Sequence, residues 1–301
     1  MDICCICDDS YILPLRVMLA SLARNAANVT FWLLYSDIQD SNLSRVSADV
    51  HGYGWKFECV KISDNALKVC DQLPEIGRFS RKVYYRLFIP WILADCKKVL
   101  YLDCDMLVRS SLADLFAIEM KGRAIAAAPD GRASGEEHNS ARLGLAGRYY
   151  NSGVLLIDCE AIRALYSEES MAALILEAEK KHRLVFPDQD LLNLVYENQF
   201  MTLNAIWNFT PNLKSGLYIL THPLEMRRIK VIHYIGPEKP WHSSYSKLLV
   251  FEYWKHLRNF LTKTERIEYW RRKRFVRSQL SRRINDVLAL VHRLGTWNDL
   301  Q

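Results

Sequence analysis

Four apolar runs, residues 3–7 (ICCIC), 29–35 (VTFWLLY), 55–62 (WKFECVKI) and 98–102 (KVLYL), are separated by stretches of helical periodicity. That alternation constrains the fold more than any other feature of the chain. The second run, β-branched, aromatic and continuous, is what a strand buried on both faces requires, and the others read as further strands. Between the first two, Leu15, Met18, Leu19 and Leu22 recur at helical spacing within residues 11–24, with Ser10 placed as the N-cap. Residues 41–50 and 78–93 also read as helices, the second kinked or ended by Pro90, and 170–182 as an amphipathic helix covering the sheet. Residues 124–128 and 153–157 are further short strands, and 131–147, rich in Gly, Ser and charge, reads as a mobile loop. The β-α-β rhythm predicts an α/β domain with a mainly parallel open sheet and helices on both faces.

Half the residues are hydrophobic and a quarter charged, as in an ordinary globular protein with a sizeable core. Cys4 and Cys7 have C-x-x-C spacing, but residues three apart on a strand face opposite ways, so the cysteines are expected to be buried reduced thiols. The start, MDICCICDDS, has no basic region and turns acidic by Asp8, which is not the pattern of a signal peptide. No apolar run reaches the roughly 18 residues of a membrane-spanning helix. The expectation is a soluble, cytoplasmic protein whose membrane contact is peripheral. Charge is unevenly placed: residues 264–301 hold nine basic against four acidic side chains, +5 of the chain's +6. Within that tail Val276, Leu280, Ile284, Val287, Leu288, Val291 and Leu294 step by three and four, giving one apolar stripe beside a basic face. A helix of that kind lies in the interface of an anionic membrane. The rival placement is a helix docked on the domain or on a second subunit. Nucleic-acid binding is not expected, because aromatic interleaving is sparse and residues 1–263 are nearly neutral.

Ligands of open parallel sheets bind beyond the carboxyl ends of the strands. Two strands end there in acidic residues, Asp8-Asp9 and Asp103-x-Asp105. Carboxylates as close as Asp103 and Asp105 need a compensating cation or hydrogen-bond donors, and all-oxygen ligation suits Mg²⁺ or Mn²⁺ bridging a diphosphate. His233 could complete such a set, and an imidazole among carboxylates favours Mn²⁺. Gly236 lets backbone approach a phosphate, and Lys239 can supply positive charge to it.

Taken together and in order, the N-terminal strand with DDS, RFSRKVYYRLFIP, ADCKKVLYLDCDMLV, YYNSGVLLID, FPDQDLLN and HYIGPEKPWH resemble glycosyltransferase family 8 over roughly residues 1–260. The family includes bacterial lipooligosaccharide galactosyl- and glucosyltransferases and glycogenin. The resemblance implies a GT-A fold, a UDP-hexose donor, Mn²⁺ and retention of anomeric configuration. It places Asp8 and Ser10 by the uridine, although the family often has Asn at the position of Ser10. It places Arg86 near the sugar or diphosphate, and Asp103, Asp105 and His233 on the metal, with Asp103 also reaching the ribose. Asp130, Asn151 and Asp188 would bond the transferred hexose, Gln189 would sit beside the anomeric carbon, and Gly236 and Lys239 would cradle the diphosphate. Front-face attack is the expected mechanism, with double displacement through Asp188 or Asp190 as the alternative.

The expected organisation is a GT-A catalytic domain over 1–263 and a basic amphipathic tail over 264–301. The expected activity is transfer of galactose or glucose from a UDP-sugar to a saccharide or glycolipid acceptor at the inner face of the membrane. Two rivals stand beside it. One is a self-glucosylating primer of the glycogenin kind, which fifteen tyrosines permit. The other is a sugar nucleotidyltransferase, which would need a Gly-rich phosphate loop that CDDSYILP does not offer.

Overall fold

The computed structural model describes residues 1–62, 64–77, 79–131, 135–211, 223–242, 245, 249–263, 266, 267 and 271. Seven strands form the main sheet: β1 (Asp2–Ile6), β2 (Thr30–Tyr35), β3 (Lys56–Lys61), β4 (Lys98–Leu102), β6 (Ile125–Pro129), β7 (Tyr150–Asp158) and β8 (Phe200–Thr202), ordered β3-β2-β1-β4-β7-β6-β8. β5 (Met106–Val108) and β9 (Val231–His233) make a separate antiparallel ribbon. Four of the six pairings in the main sheet are parallel, and β7 runs against both of its neighbours. The sheet is therefore mixed, with one reversed strand that the sequence pattern did not indicate. That strand is also longer than its apolar stretch, because Tyr150, Asn151 and Ser152 extend it while remaining buried.

Side chains alternate across the sheet into two core layers. Cys4, Tyr101, Leu155 and Ile157 pack on one face with Tyr84 and Phe88, while Ile3, Cys5, Leu100 and Leu156 pack on the other with Leu15, Leu19 and Phe31. All eight cysteines are free thiols, seven buried as expected and Cys59 exposed on β3, and Cys4 and Cys7 join opposite layers as the strand period requires. A third cluster, including Leu107, Ile232, Tyr234, Tyr253 and Trp254, fastens the β5–β9 ribbon to the helix Val250–Leu257.

Three local expectations are corrected. Ser10 does not cap the first helix. Asp8 caps a 3-10 turn over Asp9–Tyr11 by accepting from the Ser10 N–H, and the α-helix begins afterwards at Ile12. Residues 81–88 form a 3-10 helix, and α geometry is confined to Ile89–Ile92. Pro90 explains this, since its ring would clash with the residue-86 carbonyl in a continuous α-helix but is tolerated in a first turn. Within 131–147, residues Gly135–Leu143 are a helix with Glu136 and Glu137 in its first turn, where the helix dipole favours acids. No helix among the described residues is long and apolar enough to cross a membrane. The stripe predicted for residues 276–294 lies outside the described residues.

Candidate active site

The carboxyl ends of β1, β4 and β6 and, because it is reversed, the amino end of β7 share one edge of the sheet. Leu102 pairs with Val154, and the Asp103 N–H donates to the Gly153 carbonyl at 2.9 Å, so strand register sets Asp103 beside Gly153. The chain then enters β5, where Met106 pairs with His233 of β9. A ribbon about 130 residues apart in sequence thereby brings His233 Nε2 to 3.5 Å from Asp103 Oδ2 and 3.3 Å from Asp105 Oδ1.

Asp103, Asp105 and His233 form the one group of three or more such side chains, among the described residues, whose ligand atoms all lie within 4.8 Å of one another. A Cβ on Gly153 would lie 2.3 Å from His233 Cε1 and 2.9 Å from Asp103 Oδ2, so the cluster closes only because that position lacks a side chain. Two carboxylates and an imidazole fit a divalent ion, and the cluster can hold one. Lys239 Nζ bonds Asp105 Oδ2 and, at 2.9 Å, the Tyr234 carbonyl. Burial works against the Asp105 charge, but Lys239 and His233 outweigh it and hold its pKa well below the usual carboxylate range. Lys239 is thus committed to the acidic cluster, where a diphosphate was expected to meet it. Gly236 has a φ of 95°, a backbone conformation that favours glycine, between His233 and Lys239.

Arg86 is buried between two carboxylates, 3.2 Å from Asp103 Oδ1 and 3.1 Å from Asp188 Oδ2. It also donates to the Ser152 carbonyl and stacks over Tyr101, whose hydroxyl donates to Asp103 Oδ1 at 2.6 Å. Burial opposes the guanidinium charge, yet Asp103 and Asp188 raise its pKa, so the charge stays fixed between them. For Asp188 burial is the larger influence and raises its pKa despite Arg86.

The other wall is made of amides. Asn151 Nδ2 donates to Gln189 Oε1 at 3.0 Å, the Ser152 N–H to the same oxygen at 3.2 Å, and Gln189 Nε2 to Asp130 Oδ2 at 3.1 Å. All four expected hexose residues, Asp130, Asn151, Asp188 and Gln189, are buried at this one place. The Gln189 oxygen already accepts two hydrogen bonds, so it is not free to face an anomeric carbon as arranged here. Asp190, the residue after it, is wholly buried and its four acceptor positions are filled by Arg142, Tyr149 and the Val185 and Phe186 N–H groups at 2.5–3.0 Å. It secures the start of the helix Pro187–Val195 and has no lone pair left for a nucleophilic role.

Asp8 and Ser10 lie at the same sheet edge, but Ser10 is exposed and its hydroxyl donates to Asp8 Oδ1 at 2.5 Å. Lys82, not singled out in the sequence, stands 3.7 Å from Asp8 Oδ2 and 2.8 Å from Asp37. Asn193, Gly153 and Asn208 were also missed. Asn193 pins helix to strand through the Tyr150 N–H and carbonyl at 2.7 and 2.8 Å. It closes the FPDQDLLN segment one helical turn after Gln189, which was the signal available for it.

The Glycosyl transferase family 8 model matches residues 2–244. General stress protein A of Bacillus subtilis (strain 168) is 26% identical over 258 residues, covering 81% of this chain and 88% of that protein. Lipopolysaccharide 1,2-glucosyltransferase of Escherichia coli (strain K12) is 25% identical over 245 residues, covering 78% and 71% respectively. The crystal structure of galactosyltransferase LgtC with donor and acceptor sugar analogs superposes with a TM-score of 0.75 at 26% identity, covering 88% of this chain and 99% of that one.

Proposed function

This chain belongs to glycosyl transferase family 8, and from that premise we propose that it moves galactose or glucose from a UDP-sugar to a saccharide or glycolipid acceptor with retention of configuration. One observation carries the reading: the acidic–imidazole cluster Asp103, Asp105 and His233 adjoins the buried polar set Asp130, Asn151, Asp188 and Gln189 at a single sheet edge. The first suits a nucleoside diphosphate with its cation, the second an uncharged sugar. Asp103, Asp105 and His233 would hold Mn²⁺, Mg²⁺ being the substitute, and the ion would neutralise charge building on the departing UDP.

The chain's own residues do the rest. Lys239 and Arg86 are the cations positioned to balance the diphosphate, Lys239 by turning from Asp105 toward it. Gly236 leaves the backbone open to the phosphates, and Asp8 and Ser10 mark the nucleoside end. Asp130, Asn151 and Asp188 recognise sugar hydroxyls by hydrogen bonds whose directions the fold has already set. Gln189 lies beside the anomeric carbon, and its oxygen becomes available when a sugar hydroxyl takes over the Asn151 amide. The acceptor attacks from the face that UDP leaves and passes its proton to the UDP oxygen. The filled acceptor positions of Asp190 favour this route over a covalent intermediate on that residue.

We assign the catalytic unit to residues 1–263 and propose that 264–301 attach it to the anionic inner face of the membrane. Lipopolysaccharide glucosyltransferases among its relatives favour a cell-surface glycolipid acceptor. Release of UDP from UDP-galactose and UDP-glucose, with Mn²⁺ and with EDTA, tests the activity. Deleting 264–301 tests the attachment: vesicle binding should fall while turnover with a soluble acceptor persists.

A further inference from the structure

We propose that Asn208 sets the tautomer of His233 and, through a one-way chain of amide hydrogen bonds, couples the acidic–imidazole cluster to the sugar pocket at Asp130. The inference rests on reading Asp103, Asp105 and His233 as the metal cluster.

Five buried side chains are linked in series. His233 Nδ1 lies 2.9 Å from Asn208 Oδ1, Asn208 Nδ2 is 2.7 Å from Asn151 Oδ1, Asn151 Nδ2 is 3.0 Å from Gln189 Oε1, and Gln189 Nε2 is 3.1 Å from Asp130 Oδ2. Their direction is fixed by groups that can only donate. The Gly153 N–H points at Asn151 Oδ1 at 3.0 Å and the Ser152 N–H at Gln189 Oε1 at 3.2 Å, so both atoms must be carbonyl oxygens. Asn151 then donates to Gln189, and Gln189 to the Asp130 carboxylate. Because Asn151 presents an oxygen, Asn208 must offer it an N–H, which turns Asn208 Oδ1 toward the ring. His233 can meet that oxygen only by donating from Nδ1.

Two consequences follow. Donation from Nδ1 leaves Nε2 facing Asp103 and Asp105, the nitrogen whose proton would answer those carboxylates in the metal-free cluster and whose lone pair a metal would take in its place. All four bonds donate toward Asp130, so polarising one end strengthens the others in the same sense. A ligand engaging Asp130 or Gln189 therefore alters the ring that faces the metal, and the coupling is reciprocal. Asn208 is a positioning residue, since it acts through His233.

The test uses the full chain labelled with ¹⁵N-histidine, stripped with EDTA, at a pH where imidazoles are neutral. Long-range ¹H–¹⁵N spectra should show His233 as the Nδ1–H tautomer in the wild type. Asn208→Leu should lose that tautomer and weaken Mn²⁺ binding, read from free-Mn²⁺ electron spin resonance, by about 10–100-fold, the usual cost of removing such a partner. Asn208→Asp keeps an acceptor for the ring but loses the N–H given to Asn151, so it should retain the tautomer, which a merely structural role would not require, while cutting the link to Asp130. Asp130→Asn, at the far end, should also weaken Mn²⁺ binding, though less than Asn208→Leu does, and an unchanged affinity in that variant overturns the coupling. An Nε2–H tautomer in the wild type overturns the assignment. So does an Asn208→Leu protein with wild-type tautomer and wild-type Mn²⁺ affinity. If Asp105→Asn leaves Mn²⁺ binding unchanged, the metal cluster itself is wrong, and the wild-type spectrum still decides whether Asn208 sets the ring.

Discussion

The two walls of the cleft are built from different material. On one side Asp103 and Asp105 are held by Arg86 and Lys239, charges kept in place by one another. On the other, Asn151, Gln189, Asn193 and Asn208 carry no net charge and are held by hydrogen-bond direction. Charge attraction falls off gradually with distance and tolerates rotation, whereas an amide rotated by half a turn loses both of its bonds. The charged wall suits a ligand of high charge and variable shape, and the amide wall suits one whose isomers differ only in where hydroxyls point. Substitutions should therefore fail differently on the two sides.

The largest effect is expected at the charged wall. Asp105→Asn keeps the shape but removes the charge, and turnover should fall at least about a hundredfold, the scale of losing one preorganised electrostatic group. Rates near wild type would show that the wall does not serve catalysis. Asp105→Ala is the poorer variant because it leaves Lys239 buried beside a void.

Next comes the brace under the amide wall. Asn193→Ala leaves the Tyr150 N–H and carbonyl without their partner and should cost about 2–3 kcal/mol in urea unfolding. An unchanged unfolding midpoint would mean that the helix Pro187–Val195 is held from elsewhere. Gln189→Ala should lower kcat on the order of tenfold or more while KM for the UDP-sugar moves less, because the amide acts on charge present only in the transition state. A change confined to KM would make it an ordinary sugar contact. The smallest effect is at the rim: Ser10→Ala removes an exposed hydroxyl bonded to Asp8 and should cost less than about 1 kcal/mol. A large rise in KM there would place the nucleoside directly on Ser10.

The contrast also explains what was legible in the sequence. Carboxylates at the ends of apolar strands stand out, so Asp8, Asp103 and Asp105 were visible, and the strand–helix rhythm exposed the α/β class. The reversal of β7 was hidden because a strand buried on both faces reads the same in either direction. Asn208 lies between elements in a stretch with no periodicity, and its value comes wholly from the two residues it joins. Gly153 looked like one more residue of an apolar strand. Only the ring and carboxylate packed against it show why a side chain has no room there. Pro90 announced a break, but the 3-10 geometry of 81–88, which carries Tyr84, Tyr85, Arg86, Leu87 and Phe88 into the core, had no periodic signal of its own.

The central claim is that the charged wall serves metal-dependent transfer from a UDP-hexose. The most direct measurement is the initial rate of UDP release from UDP-galactose and UDP-glucose by EDTA-treated wild type and by Asp105→Asn, across a Mn²⁺ titration. The expected result is no release in EDTA, recovery of the wild type with added Mn²⁺ on at least one donor, and no recovery of the variant. Full release in EDTA, or equal recovery of the variant, would contradict it.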